Sequence, residues 1–575
     1  MSQAPALRGE VDLAARVRWL PRLWVVLLGL LMLGPALAPG YVLSYDMVWV
    51  PHLAVREEVW GLGTLLPRNV PSDALVSVAN LVLPGMLLQK LVLIGAVIGA
   101  GLAGLRFGGA SMVGRITAGT VYLWNPFVVE RLAIGHWPLL ISYAVLPILI
   151  TAGERFRRSS EVRPVLLLAA VASCLTPSAG VMAAVVLLVI AYDWRRFQPG
   201  RLAVVGAIAA GANAPWVAAG LAHLADATST GAGASVFGLQ AEGTLPAPLA
   251  ALGLGGIWNA DVVPYTRTTP LAWIALLLLI PLSVLGVWLM RHEKRSTSPA
   301  LRHIGPDRDH AHDLMLLWVL GFGLALLTWI SPSLMGWIAT HVPGGGIMRD
   351  GARWLGLCAP LGATAMGMAG VWMVRASPEA VRVLVAAVVV GTPLITLPDA
   401  AYGVGGSLRA VHFPAEYADA RSALDRTGAT SVLVLPFTAY RAPAWNHERP
   451  VLDPLPRYLS PNPVASDQLS VDGKPLDGES ARAAAVRKAL ATPHPEAALR
   501  TMGLRYAVID LDAPGRIPTL DGIDVFAGRH LRVIDLGVAE PVAGPNRWAR
   551  GLVVAGWLGW AALLSAAVAT WWRRR

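Results

Sequence analysis

Charge is scarce in this chain. Asp, Glu, Lys and Arg make up 14% of its 575 residues, against roughly one-quarter in a typical soluble domain. With a mean hydropathy of +0.55, that excludes a water-soluble enzyme. Cysteine is scarcer still. Cys174 and Cys358 are the only two, and both fall in apolar runs, so neither a disulfide framework nor a cysteine-based zinc site is available. They read as small packing residues. No internal repeat and no heptad pattern is present, which argues against a solenoid or a coiled coil. A Walker loop is missing too, because no Gly-Lys-Ser/Thr follows the glycines at 344–346, and nucleotide binding is not implied.

What the chain does have is apolar runs of ~20 residues, the length that crosses a hydrocarbon core of ~30 Å. They define a polytopic α-helical membrane protein of about twelve transmembrane helices, at 23–43, 84–105, 110–127, 137–153, 163–177, 179–193, 202–222, 270–290, 313–331, 354–374, 382–398 and 549–571. The pair at 163–177 and 179–193, joined only by Pro177-Ser178, reads equally as a re-entrant hairpin. Ala36-Leu37-Ala38 resembles a signal cleavage site, but Pro39 behind it favours an anchored first helix.

The formal charge of +11, from 47 Lys+Arg against 36 Asp+Glu, sits mainly in short loops, so it is topogenic rather than a nucleic-acid footprint. Arg8, Arg16, Arg18 and Arg22 precede the first run, and arginines recur at 106 and 115, 155–158, 195–201, 291–308, 375–382 and 573–575. Positive charge inside then puts both termini in the cytoplasm of a multi-pass plasma-membrane protein. Residues 44–83, 126–136, 223–269 and 332–353 become extracytoplasmic loops.

A fifth outside segment changes composition. Short β-branched runs at 431–437, 506–510 and 531–535 read as buried strands, and 416–426 and 479–490 as amphipathic helices. The chain thus divides into a multispanning domain over 1–398, an extracytoplasmic α/β domain over 399–547, and a final helix with a basic tail over 548–575.

Polar residues gather at the outside ends of the spans. Asp46, in Tyr45-Asp46-Met47-Val48, lies at interfacial depth, where a carboxylate needs a role or a partner, unless it is simply a helix-end group in headgroup water. Glu57 and Glu58 follow, as a solvated face or as partners of Asp46. The second loop sets Glu130, Arg131 and His136 close together between two spans. The fourth carries Arg349 and Arg353, four residues apart, at a helix start where they would share one face. Arginine suits bidentate phosphate binding, and a helix N-terminus adds N–H donors. Snorkelling to lipid headgroups is the plainer reading.

These features resemble the GT-C superfamily of integral membrane glycosyltransferases, in particular the actinobacterial arabinofuranosyl- and mannosyltransferases of cell-envelope assembly. The resemblance rests on Asp46 in the first outer loop, the many spans and the C-terminal outer domain. It rests also on the strings Tyr45-Asp46-Met47-Val48, Asn125-Pro126-Phe127-Val128-Val129-Glu130-Arg131-Leu132 and Arg349-Asp350-Gly351-Ala352-Arg353-Trp354. It implies an extracytoplasmic site that takes a sugar, arabinofuranose or mannose, from a polyprenyl-phosphate donor to a glycan or glycolipid acceptor, with Asp46 as base. Many members carry paired acids in that loop, whereas Asp46 is flanked by Tyr45 and Met47, which leaves a divalent cation as an open question.

The chemistry agrees with that expectation. A lipid phosphate leaves as a stable anion and needs no general acid, so one base and a set of cations suffice for a single inverting displacement, unlike the two carboxylates of glycoside hydrolysis. The expected roles are Asp46 as base, Arg349, Arg353 and Arg131 on the donor phosphate, and Glu130 and His136 orienting sugar or acceptor, with Glu57 and Glu58 in support. The outer domain would bind glycan. Two other classes stay open, a lipid-linked glycan transporter or flippase and a non-catalytic scaffold of cell-wall assembly; the lack of duplicated halves weighs against the transporter.

Overall fold

The computed structural model describes residues 19–227, 231, 233–292, 308–471, 474–542 and 544–575. Arg8, Arg16, Arg18, Lys294, Arg295 and Arg302, which entered the topology reading, lie outside the described residues.

Among the described residues, eight helices are long and apolar enough to cross a membrane: Leu20–Leu37, Gly85–Gly108, Trp137–Ser159, Pro199–Ala222, Leu271–His292, His310–Ile330, Glu379–Thr396 and Arg547–Trp572. A ninth span is broken, with Gly351–Leu357 meeting Ala359–Ala376 at 46°. The twelve expected from sequence are therefore reduced by three. Met112–Leu123 has 12 residues, a length of ~18 Å at 1.5 Å per residue. It stops because Asn125 caps a new helix, accepting from the Val128 amide, with Pro126 in its first turn. Pro164–Ala172 and Pro177–Ala191 are likewise short, each opened by a proline.

Trp137–Ser159 is the most enclosed span, with 72% of its apolar window buried, against 22% for Arg547–Trp572 and 28% for Leu271–His292. The first is the axis of the bundle, and the other two have broad faces for lipid. Pro199–Ala222 packs along Arg547–Trp572 through small residues: a Cβ on Gly556 would come within 2.6 Å of the Ala214 carbonyl, and Gly559 lies against Ala214. Trp560 Nε1 donates to the Ala212 carbonyl at 2.6 Å across the same seam. Close backbone approach of this kind drives helix association where lipid removes the hydrophobic incentive.

The arginines read as topogenic share one end of the bundle. Arg157 pairs with Asp313 at 2.6 Å, Glu161 takes both Arg163 and Arg574, and Arg201 donates to the Arg157 carbonyl. The opposite end carries Asp46 and the C-terminal domain.

That domain holds a five-stranded sheet of β1 (Ser431–Leu435), β2 (Asn462–Val464), β3 (Tyr506–Asp510), β4 (Ile523–Ala527) and β5 (Leu531–Asp535) in the order β4-β5-β3-β1-β2. β1 runs parallel to β2 and β3, and β5 antiparallel to β3 and β4. The three runs read as strands in the sequence are its central members. β3 is buried along its whole length. Helices Ala415–Thr427 and Ala481–Leu490 lie where amphipathic helices were expected.

The domain is fastened directly to the helical bundle. Tyr41–Val42, just after the first span, pairs antiparallel with Ala410–Val411. The Arg56 guanidinium donates to the carbonyls of Pro456, Leu459 and Pro461, Arg421 donates to the His52 carbonyl at 2.9 Å, and Arg457 meets Asp73 at 2.6 Å.

The helix seam gives a test with an internal control. Gly556→Val should lower the apparent Tm of the purified protein, because overpacking such a contact costs ~1–3 kcal/mol. Gly551→Val, on the same helix with nothing within 4 Å of its would-be Cβ, should leave Tm unchanged.

Candidate active site

The first loop turns sharply after the first span. Ser44 and Met47 exchange backbone hydrogen bonds, and Tyr45 takes a left-handed conformation with φ 45°. The second loop holds this turn from beneath: the Asp46 amide donates to the Ile134 carbonyl at 2.9 Å. Gly135, with φ +91°, lies so close that a Cβ would collide with the Met47 amide and the Ser44 carbonyl. Glycine is required there for both reasons, and the contact sets Asp46 beside His136.

The Asp46 carboxylate has two donors, Tyr440 Oη to Oδ1 at 2.6 Å and His136 Nε2 to Oδ2 at 3.0 Å. The second can be assigned. Arg131 lies 3.3 Å from His136 Nδ1, and a guanidinium can only donate, so Nδ1 is the acceptor and Nε2 carries the proton. Burial depresses the His136 pKa, in keeping with a neutral ring. For Asp46, burial acts to raise the pKa but is outweighed by His136, Tyr440 and the nearby charge of Arg353, and the carboxyl is held below its ordinary value. Its side chain remains 40% accessible, so solvent reaches the carboxylate.

Behind His136 the chain of contacts continues. Arg131 is 1% exposed and makes a forked pair with Asp350, at 3.2 and 3.1 Å. Arg353 reaches the same carboxylate through Nε at 2.7 Å and keeps 31% of its side chain exposed. Burial acts against the Asp350 charge, but Arg131 and Arg353 prevail and lower its pKa to about 2. The sequence Asp46, His136, Arg131, Asp350, Arg353 thus links the first, second and fourth loops.

Several expected roles change with this geometry. Arg131, expected on the donor phosphate, is buried and its terminal nitrogens are used by Asp350 and His136. Arg349 and Arg353 do not share a helix face, because extended backbone at Asp350 separates the short helices Gly345–Arg349 and Gly351–Leu357. Arg349 instead stacks over Phe237 at 4.7 Å and pairs with Glu479 of the C-terminal domain at 2.8 Å. Glu130 is buried at 1% exposure, and burial and the adjacent Glu242 raise its pKa well above the usual carboxylate range. It faces Glu242, which pairs with Arg267 at 2.6 Å. Glu57 pairs with Arg550 at the head of the last helix, and Glu58 folds over Gly63. Neither joins the partners of Asp46.

Tyr440 gave no signal in the sequence, since nothing local to 440 marks it as reaching residue 46. Asp261, one of the polar residues of the third outer loop, accepts from Tyr45 Oη at 3.0 Å and brings that loop in. The carboxylates around Asp46 do not fit a cation site. Asp350 is occupied by two guanidiniums and Asp261 by a tyrosine. The His494, Glu496 and Asp521 ligand atoms, within 4.8 Å of one another, belong to the C-terminal domain.

Asp350→Asn should strip Arg131 of its counter-charge, a loss of ~3–5 kcal/mol for a broken buried pair, read as a large drop in Tm. Because folding depresses this carboxyl, its stabilisation is complete above the unfolded value of ~4 and is lost as pH falls toward about 2. That acid-sensitive component should be missing from the Asn variant.

No known family profile matches the sequence, and no curated protein matches it. The fold does have solved counterparts. A structure of arabinofuranosyltransferase AftD from Mycobacteria superposes with a TM-score of 0.52 at 15% identity, covering 91% of this chain and 40% of AftD. A second AftD structure, of an arginine-to-serine mutant, gives 0.50 at 15% identity, covering 91% and 42%. The chain therefore spans about 40% of AftD's length. At this identity the likeness shows a shared fold alone.

Proposed function

We propose that the chain transfers a sugar from a polyprenyl-phosphate donor to a cell-envelope glycan or glycolipid, by a single inverting displacement on the extracytoplasmic face. Arabinofuranose is the first sugar to test and mannose the second, since AftD's name assigns it arabinofuranose. The observation that carries this reading is Asp46, an accessible carboxylate held ionised by Tyr440 and His136 within the field of Arg353.

In the proposed step the acceptor hydroxyl gives its proton to Asp46 as its oxygen bonds to the anomeric carbon. The bond from that carbon to the phosphate oxygen breaks on the opposite face. The electron pair leaves with the polyprenyl phosphate, whose charge Arg353 stabilises. Arg353 can turn from Asp350 toward the phosphate while Arg131 keeps Asp350 compensated. His136 and Arg131 act as positioning residues. The basic end of the bundle then faces the cytoplasm with both termini.

The test is transfer by purified protein in lipid nanodiscs from polyprenyl-phosphoryl arabinofuranose or mannose. Asp46→Asn should lower kcat by ~10²–10⁴-fold, the range for a general base, and Arg353→Ala should chiefly raise the donor KM. Full activity in Asp46→Asn excludes it as base. No transfer by the unaltered protein from either donor overturns the reading. Tyr440→Phe removes a donor to the carboxylate and so raises its pKa, which should move the acid limb of the kcat profile to higher pH, a shift that a purely structural tyrosine would not cause.

A further inference from the structure

A second group of ligating side chains lies in the C-terminal domain, outside the Asp46 site. His494, Glu496 and Asp521 each place one ligand atom within 4.8 Å of the other two. His494 and Glu496 flank Pro495, which stands at the head of the helix Glu496–Thr501 with φ −76° and stiffens the link between them. Asp521 comes from the connection between β3 and β4, and its amide donates to Glu496 Oε1 at 2.8 Å. Leu499 of that helix is fully buried beneath, and Leu520 packs against the same apolar cluster.

Glu496 is the informative member. It is 7% exposed, and a carboxylate buried to that degree needs a counter-charge. Its place in the first turn of a helix and the Asp521 amide account for Oε1 alone. Among the described residues Oε2 has no hydrogen-bond partner, and no Lys or Arg pairs with the side chain. Arg500, four residues on and the partner that helix spacing would favour, donates instead to the Leu536 carbonyl at 2.9 Å. Arg505 and Arg532 of the sheet are taken by Asp535 and Asp524. Beside Glu496 stand a second carboxylate, Asp521, and the His494 imidazole, both exposed. Two carboxylates and an imidazole with no cation of the chain among them form a donor set that a metal ion completes.

The donor types choose the ion. Imidazole nitrogen suits zinc and its transition-metal neighbours, whereas calcium and magnesium take sets of oxygens. Three protein ligands leave the fourth tetrahedral position for water. Ligand atoms on a tetrahedral zinc stand about 3.4 Å apart at the usual bond lengths, so the widest separation of 4.8 Å has to contract by about 1.4 Å. His494 and Asp521, being exposed, can turn to close it. We propose that His494, Glu496 and Asp521 bind a divalent transition-metal ion of the zinc type, which clips the connection between β3 and β4 to the start of the helix Glu496–Thr501. This site is independent of the transferase reading.

The experiment is titration of the full chain, purified in detergent without a histidine tag and stripped with chelator, with Zn²⁺ and separately with Ca²⁺, read by calorimetry and by Tm. Zn²⁺ should bind and raise Tm, as a ligand of the folded state does, and Ca²⁺ should do neither. His494→Ala and Glu496→Gln should each weaken Zn²⁺ binding at least about tenfold and abolish the Tm gain. His494 is exposed, so its variant should match the parent Tm with no metal added. His530→Ala and Asp46→Asn, which break two other His–Asp contacts, should bind Zn²⁺ as the parent does. Equal Zn²⁺ binding by His494→Ala and the parent overturns the site. So does a parent that gains no Tm with Zn²⁺, or one that binds Ca²⁺ in preference to Zn²⁺.

Discussion

The buried pair between Arg131 and Asp350 is the interaction on which the rest of the site depends. Two charges with little solvent contact are expensive to bury, and they persist where geometry and further hydrogen bonds compensate both. Here Asp350 takes a fork from Arg131 and a third contact from Arg353, and Arg131 turns its remaining capacity to His136. The pair therefore fixes the second and fourth loops relative to one another. It also fixes the histidine tautomer, since a donor at Nδ1 leaves Nε2 to face Asp46.

A consequence is that cations near Asp46 differ in availability. Arg131 is a buried structural element, whereas Arg353 has its counter-ion secured by another residue and its own guanidinium partly exposed. The fit between charge and role is electrostatic. The base of the proposed transfer must stay ionised yet reachable, and Asp46 accepts two hydrogen bonds while keeping 40% of its side chain accessible. Glu130 and Glu242 show the opposite case: both are buried, Arg267 pairs with Glu242, and burial beside that second carboxyl raises the Glu130 pKa.

The C-terminal domain is part of this arrangement rather than an appendage. Division of the sequence at residue 398 separates Asp46 from Tyr440, but in the fold they are 2.6 Å apart from oxygen to oxygen. Arginines from both segments bind backbone carbonyls across the junction, contacts that remove loop ends from water and hold Tyr440 on Asp46. Adjacent residues 440 and 441 reach different partners, Tyr440 bonding Asp46 and Arg441 bonding Asp453.

Much was legible in the sequence because it depends on local composition. Apolar length marks spans, prolines mark helix starts, and short β-branched runs marked β1, β3 and β5. The span count was overestimated where length alone decided, since the Asn125-Pro126 cap ends a helix inside an apolar run. Asp46, His136 and Arg353 stood out as polar residues at span ends, a signal that needs no tertiary knowledge. Which of them meet did not follow. Arg131 and Arg353 look alike in sequence, and only the fold commits one to a buried carboxylate and leaves the other at the rim. Pairing of Asp46 with Tyr440, 394 positions away, was decided by the packing of one domain on another, because a hydrogen bond depends on distance in space and the local sequence constrains only near neighbours.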